Sequence, residues 1–344
     1  MVVLVAAVAL TPPVAPMLAV AVPVMPGLDG RDRHLRWEPK FDGWRCLAFR
    51  RADGVYLQSR AGRPLGGYFP DIAAAVAAAV PAGVVLDGEL VIWHQERTSF
   101  ALLQARVTAG GRLPSEVRAY PAHYVVFDVL QDATGRELLG LPLRERRRIL
   151  VDLLAHAPAQ VALCPQTHIL DEATDWLTNW TAVGVEGVVA KLANSRYHPG
   201  QRRGWQKYRA RCTTEAIIGG VTGTLARPET LLVGRYDLAG RLRYTGRSFP
   251  LSTTLQQQIA PHLAPAAGTA WAGANHPWPQ PLPAGWSGQL PRPEPLPYLQ
   301  VVPTVVVEIS VDTAFENMRW RHGVRVLRTR TDLTDRDVPL LDAG

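Results

Sequence analysis

Between Trp37 and Arg211 the chain alternates short β-rich runs with helical stretches, which confines it to a domain of sheets covered by helices. Cys46–Arg50, Val55–Ser59, Val84–Trp93, Tyr124–Leu130 and Gly187–Leu192 read as strands, each short, β-branched and bounded by Gly, Pro or Asp. Ile72–Val80 and Leu143–His156 read as helices, the second with Pro142 ahead of it and a dense arginine face. Leu86-Asp-Gly-Glu contains a turn-like Asp-Gly pair. Because the apolar run Leu90-Val-Ile-Trp follows at once, the polar residues are read as inserted within a strand.

Beyond Arg211 the pattern changes. Glu215–Thr222, Thr230–Tyr236, Arg241–Gly246 and Val305–Val311 are strand-like, and only Leu255–Leu263 looks helical, which predicts a small β-barrel with one helix. His262–Pro297, rich in Pro, Trp and Gly, reads as a long loop inside that barrel because strands continue on both sides of it. A chain of 344 residues has room for two such domains.

Hydrophobic content of 47% and charged content of 19% exclude a disordered or fibrous chain, and the net charge of +7 suits a polyanionic partner. Cys46, Cys164 and Cys212 form no C-x-x-C pair, so they are expected to be buried reduced thiols rather than a zinc site or a disulfide framework. Met1 to Leu28 carries no charged side chain. It lacks the basic start of a signal peptide, and Pro12, Pro13, Pro16, Pro23 and Pro26 interrupt any spanning helix. The segment is expected to run extended and pack on the first domain, with the protein cytoplasmic and without a membrane partner.

The strongest local motif is Glu38-Pro-Lys40-Phe-Asp-Gly-Trp-Arg45. A lysine acts as a nucleophile only when deprotonated, and burial or cationic neighbours favour that form. On its own the octet reads equally well as a surface turn, since Asp-Gly is a common turn pair. The downstream segments tip the balance. Asp87-Gly-Glu89 lies between apolar residues, where two carboxylates need partners. Phe127-Asp128 ends another apolar run, and Glu186-Gly-Val-Val-Ala-Lys191 sets an acid and a lysine at the two ends of a strand. Lys207 and Arg209 share one face of a strand at period two. Together these residues supply a nucleophile, metal ligands and phosphate clamps.

In this order, Lys40-x-Asp-Gly-x-Arg45, Ser59-Arg60, Asp87-Gly-Glu89, Phe127-Asp128, Glu186-Gly-x-Val-x-Lys191 and Trp205-x-Lys207-x-Arg209 resemble the covalent nucleotidyltransferase superfamily of DNA ligases, RNA ligases and mRNA capping enzymes. Pro12-Pro-Val-Ala-Pro-Met-Leu-Ala19 and Tyr197-His-Pro-Gly200 are most similar to short bacterial ATP-dependent DNA ligases and the ligase module of end-joining proteins. The resemblance implies an α+β chain: a nucleotidyltransferase domain of ATP-grasp-like antiparallel sheets with helices over residues 1–211, then an OB-fold β-barrel over 212–344. It implies that Lys40 attacks the α-phosphate of ATP and carries AMP. Glu38 would contact adenine and Phe127 stack on it, with Arg45 and Glu89 on the ribose side. Lys191 and Lys207 would hold the α-phosphate. Arg60 would meet a nucleotide or DNA phosphate, and Arg202 (or Arg203, equally well spaced) would assist. Glu186, with Glu89, would bind Mg²⁺ or Mn²⁺.

Arg319-Trp-Arg321-His and Arg328-Thr-Arg330-Thr-Asp332 are similar to the family's final motif, which orients the leaving pyrophosphate. Two departures stand out: Arg209 and Leu333 occupy positions where the family often has Lys. The implied partner is nicked double-stranded DNA met by a monomer, with a repair polymerase or an end-binding protein as candidate protein partners. Only 39 residues precede Lys40, which favours ATP over NAD. A GTP-dependent capping-type guanylyltransferase or an RNA ligase shares the lysine motif, but Glu38 and the Trp205–Arg209 segment favour a DNA ligase. A degenerate nucleic-acid-binding module would have lost acids and lysines that are all present here.

Overall fold

The computed structural model describes residues 10–27, 34–209, 211–271, 275–286, 294–312 and 314–341. The chain falls into two units, Met1–Arg209 and Ala210–Gly344. Among the described residues no helix is long and apolar enough to cross a membrane.

The first unit contains β1 (Val20–Ala21), β2 (Leu35–Phe41), β3 (Trp44–Arg51), β4 (Gly54–Ser59), α1 (Pro70–Ala79), β5 (Val85–His94) and β6 (Arg97–Thr98). It continues with α2 (Phe100–Thr108), α3 (Leu113–Ala119), β7 (Ala122–Gln131), α4 (Leu143–Leu154), β8 (Val161–Leu163), α5 (Leu170–Thr178), β9 (Val185–Leu192) and β10 (Trp205–Arg209). One sheet runs β4-β3-β5-β7-β8 with β6 on the side of β5, and the other runs β1-β10-β9-β2. The Asp-Gly of the Leu86-Asp-Gly-Glu run lies inside β5, as its apolar continuation required.

Period-two alternation divides β3 between two cores. Cys46 and Ala48 pack with α1, α4 and Tyr124, while Leu47 and Phe49 pack with Trp205 and Val189 of the other sheet. The two sheets therefore face each other, and Phe41, Val91, Val125 and Val185 extend that contact. Helix α4 buries Leu143, Arg146, Leu150 and Leu154 along one stripe. Arg146, counted in the sequence as part of an arginine face, is fully buried against Asp128, with bidentate contacts of 2.8 and 2.9 Å.

The antiparallel expectation needs correction, because the sheets are mixed. β1 pairs with β10 and β8 with β7 in parallel. The second pairing follows from α4, a crossover that returns the chain in the same direction as β7. Helices α2, α3 and α5 were not read from the sequence. The N-terminal segment does run extended and packed: Val14 exchanges two hydrogen bonds with the Gln58 side chain, and the Leu18 amide donates to the Gln201 carbonyl. Residues 1–9 of the apolar run lie outside the described residues. Cys46 and Cys164 are buried thiols; Cys212 is exposed, contrary to expectation.

The second unit contains β11 (Arg211–Gly223), β12 (Pro228–Tyr236), β13 (Leu242–Arg247), α6 (Thr253–Ile259), β14 (Leu299–Gln300), β15 (Val306–Asp312), β16 (Phe315–Glu316), β17 (Arg319–Trp320) and β18 (Arg325–Thr329). Its main sheet runs β13-β12-β11-β15-β18, with β14 also on β11. The expected closed barrel is not formed: no ladder joins β13 to β18 among the described residues, and a single bridge, Ser248 with Val324, links their ends. The ladder slips between Val233 and Gly234 and between Glu308 and Ile309, and such bulges bend the sheet. The Pro-Trp-Gly loop packs on the sheet, where Trp278 and Leu282 join Ile217, Leu232, Leu242, Tyr244 and Val306 in one core. Trp278, 1% exposed, donates its indole N–H to the Leu242 carbonyl at 3.0 Å and meets Tyr244 edge-on.

Candidate active site

Lys40 lies near the end of β2, opposite Gly187 of β9, one residue past Glu186. Two close approaches fix it there. A Cβ on Gly187 would stand 2.1 Å from the Tyr208 carbonyl oxygen of β10, and one on Gly43 would stand 2.2 Å from the Leu90 carbonyl oxygen of β5. Each glycine lets a neighbouring strand pass where any side chain would block it.

The Lys40 ammonium is ion-paired with Glu186, whose carboxylate is 2% exposed, and Arg209 reaches the same oxygen at 3.3 Å. Lys207 is held below the usual lysine range by burial and then by the charges of Lys40, Arg209 and Arg60. Lys40 and Arg209 thus meet at one carboxylate with Lys207 close by, and Arg60, exposed after β4, is near enough to add its charge. Glu89 is pushed up to about 7 by burial; Lys40 and Arg45 oppose the shift and the Glu186 charge adds to it. Carboxylate oxygens that repel one another beside a cationic cluster suit a hard divalent ion completed by phosphate oxygens.

Deeper in the cleft, Lys191 pairs with Glu38 at 2.6 Å, and Gln166 donates to the other Glu38 oxygen at 2.8 Å. The Lys191 ammonium stands 4.4 Å from the centre of the Phe127 ring and 4.1 Å from that of Trp205. Arg45 lies 4.6 Å from the Phe127 ring centre and is clamped by Asp87 through contacts of 2.5 and 2.6 Å. Phe127 itself is only half-buried and meets Trp205 edge-on. The structure therefore gathers Glu38, Lys40, Arg45, Glu89, Phe127, Glu186, Lys191 and Lys207 between the two sheets, whereas Arg60 is exposed just after β4. Arg202 and Arg203 are exposed in the turn before β10. Asp87, Trp205, Gln166 and Tyr197 were not assigned from the sequence. Asp87 carried a signal, as an acid inside an apolar strand, and Trp205 and Tyr197 lay in segments that carry the resemblance without a role assigned to them, whereas Gln166 enters only through tertiary contacts.

A family model described as the ATP-dependent DNA ligase domain matches residues 16–209. The chain belongs to the ATP-dependent DNA ligase family. DNA ligase C of Mycobacterium tuberculosis is 31% identical, with 93% of this chain and 91% of that protein covered. The multifunctional non-homologous end joining DNA repair protein LigD of the same organism is 30% identical over 65% of this chain and 29% of its own length. A solved Lig E DNA ligase, 16% identical, shares the fold with a TM-score of 0.54 over 92% of this chain and 99% of its own. The enzyme is a DNA ligase that uses ATP, and ligases of this family work through a lysine-linked AMP.

The ligase's C-terminal basic residues occupy separate settings in the second unit. Arg319 lies 4.4 Å from the Trp286 ring centre, and burial lowers its pKa. The Arg321 amide donates to the Ala314 carbonyl. Arg328 pairs with Glu308 at 2.8 Å, and Arg330 with Glu215 and Asp332, each at 2.8 Å. The Arg330 contact holds Asp332 down at about 2.

Proposed function

We propose that this enzyme seals 5′-phosphate/3′-hydroxyl nicks in double-stranded DNA during repair, through AMP carried on Lys40. The observation that carries the assignment of Lys40 is its pairing with Glu186 inside a cluster shared with Lys207, Arg209 and Arg60. The Nζ proton leaves along the hydrogen bond to Glu186, and the nitrogen attacks the α-phosphorus as the bond to pyrophosphate breaks. The DNA 5′-phosphate then takes the AMP, and the 3′-hydroxyl displaces it.

In this reading Glu38 contacts adenine, Phe127 stacks on it, and Arg45 and Glu89 face the ribose. Lys191 exchanges the Glu38 carboxylate for α-phosphate oxygens, beside Lys207. Arg60 and Arg202 meet phosphates at the rim. Glu186 and Glu89 would hold Mg²⁺ or Mn²⁺, whose charge neutralises phosphate oxygens during transfer. Residues 1–211 form the adenylation domain and 212–344 an OB-fold. The Ser248–Val324 bridge between the edges of its sheet supports the OB-fold reading. Arg319, Arg321, Arg328, Arg330 and Asp332 form its pyrophosphate-orienting motif. The relationship to LigD supports an end-binding protein or a repair polymerase as partner, with this chain acting as a cytoplasmic monomer.

The test is incubation with labelled ATP, GTP or NAD and Mg²⁺, followed by denaturation. Label is expected to stay on the protein from ATP and to be lost in Lys40→Ala. Retention in that variant, or no adduct from ATP, overturns the proposal.

A further inference from the structure

Four side chains and backbone groups close a ring behind the cleft. The Tyr197 hydroxyl donates to Asp87 at 2.7 Å and accepts the Met17 amide at 2.9 Å. Asp87 grips Arg45 through two contacts, and Arg45 donates onward to the Met17 carbonyl at 3.2 Å. Met17 and Asp87 are both 0% exposed, and Tyr197 is 2% exposed. Met17 is held independently: its sulfur accepts the His198 amide at 3.2 Å, and Gly200 donates to Ala15 at 3.1 Å. The N-terminal segment and the Tyr197–Gly200 loop thus brace each other, and between them they hold one arginine.

That arginine has several rotatable bonds and would otherwise sample many orientations. A bidentate carboxylate fixes its plane, and a carboxylate is itself fixed only when its second oxygen has a further donor. Tyr197 supplies that donor. Its ring also packs edge-on against Trp205, 5.7 Å between centres, beside the same cleft.

We propose that Tyr197 and the Met17 backbone are positioning residues of the nucleotide site, holding Arg45 through Asp87 in one orientation over Phe127 before ATP arrives. The inference rests on the reading of Arg45 as a nucleotide contact. Pre-organisation acts on binding, so its loss falls on the ATP concentration needed rather than on the bond-making step.

The experiment compares lysine adenylation by the full chain and by Tyr197→Phe across ATP concentrations, with thermal unfolding recorded alongside. Removing one hydrogen bond to a charged group is expected to raise the KM for ATP about tenfold while the rate at saturating ATP changes less than about twofold. In an Arg45→Ala background the same substitution is expected to have no further effect on KM. Asp87→Asn, which keeps the shape and weakens the grip, is expected to raise KM at least as much and to absorb the Tyr197→Phe effect. An unchanged KM in Tyr197→Phe, with a raised KM in Arg45→Ala, overturns this inference and leaves the assignment of Arg45 standing. An equal rise in both backgrounds shows a structural role and also overturns it. An unchanged KM in Arg45→Ala removes the assignment and the inference together.

Discussion

Lys40 and Glu186 meet as an ion pair across the β2–β9 ladder, with Glu186 almost fully buried and Lys40 about one-fifth exposed. Lys40 is therefore paired with a buried carboxylate and open on one side, the setting the proposed nucleophile needs. Lys40→Arg keeps the pairing charge but cannot form the lysyl-AMP bond. It is expected to fold normally, bind DNA, and give no covalent adduct with labelled ATP. Glu186→Gln keeps the shape and is expected to slow adduct formation by about 100-fold, on the scale of losing one electrostatic contact at a reacting centre. A gel assay for protein-bound label checks both.

Glu89 sets a pH dependence for the nucleotide-free and metal-free protein. Its folded value of about 7 lies above the ordinary 4.5, so between those limits the folded chain holds a proton that the unfolded chain has released. Stability from this group is present below pH 4.5, falls as pH rises toward 7, and is constant above. Unfolding in EDTA should show the wild type losing stability across that window relative to Glu89→Gln. Parallel curves for the two proteins would show that Glu89 is not shifted.

Asp128 and Arg146 are both 0% exposed and bound to each other bidentately. Asp128→Ala leaves a buried guanidinium unpaired and is expected to cost about 3–5 kcal/mol. Replacing both residues with apolar ones of similar volume should recover much of that loss. Denaturant titration of the single and double variants is the check.

Trp278 anchors the Pro-rich loop to the second unit through its ring and its bond to Leu242. Trp278→Ala is expected to destabilise that unit by about 3–5 kcal/mol. Two-transition melting, with only the transition of the second unit moved, would confirm that the loop is part of that core.

A net charge of +7 on a DNA ligase implies binding led by phosphate contacts. If about six phosphates are neutralised, affinity for nicked DNA should fall about a thousandfold from about 50 to 200 mM salt. A flat response in a titration over that range would count against a DNA substrate.

What the sequence determined by itself was local and periodic. Strand alternation placed β3, β5, β7 and β9, and the apolar continuation after Asp87-Gly-Glu89 put both acids inside β5, because side-chain direction along a strand depends only on position. The ordered spacing of Lys40, Glu89, Phe127, Glu186 and Lys207 likewise marked the candidate site. Tertiary structure alone decided who pairs with whom. Lys191 neutralises Glu38, Tyr197 steadies Asp87, and Arg146 leaves an arginine-rich helix face to meet Asp128, all through contacts between elements distant in the chain. Short helices such as α2 and α5 went unread for the same reason: nine residues carry little signal of their own, and packing against β5 or β9 makes them helical. The parallel edges follow from connections and the bends of the second sheet from bulges, neither of which hydrophobic periodicity encodes.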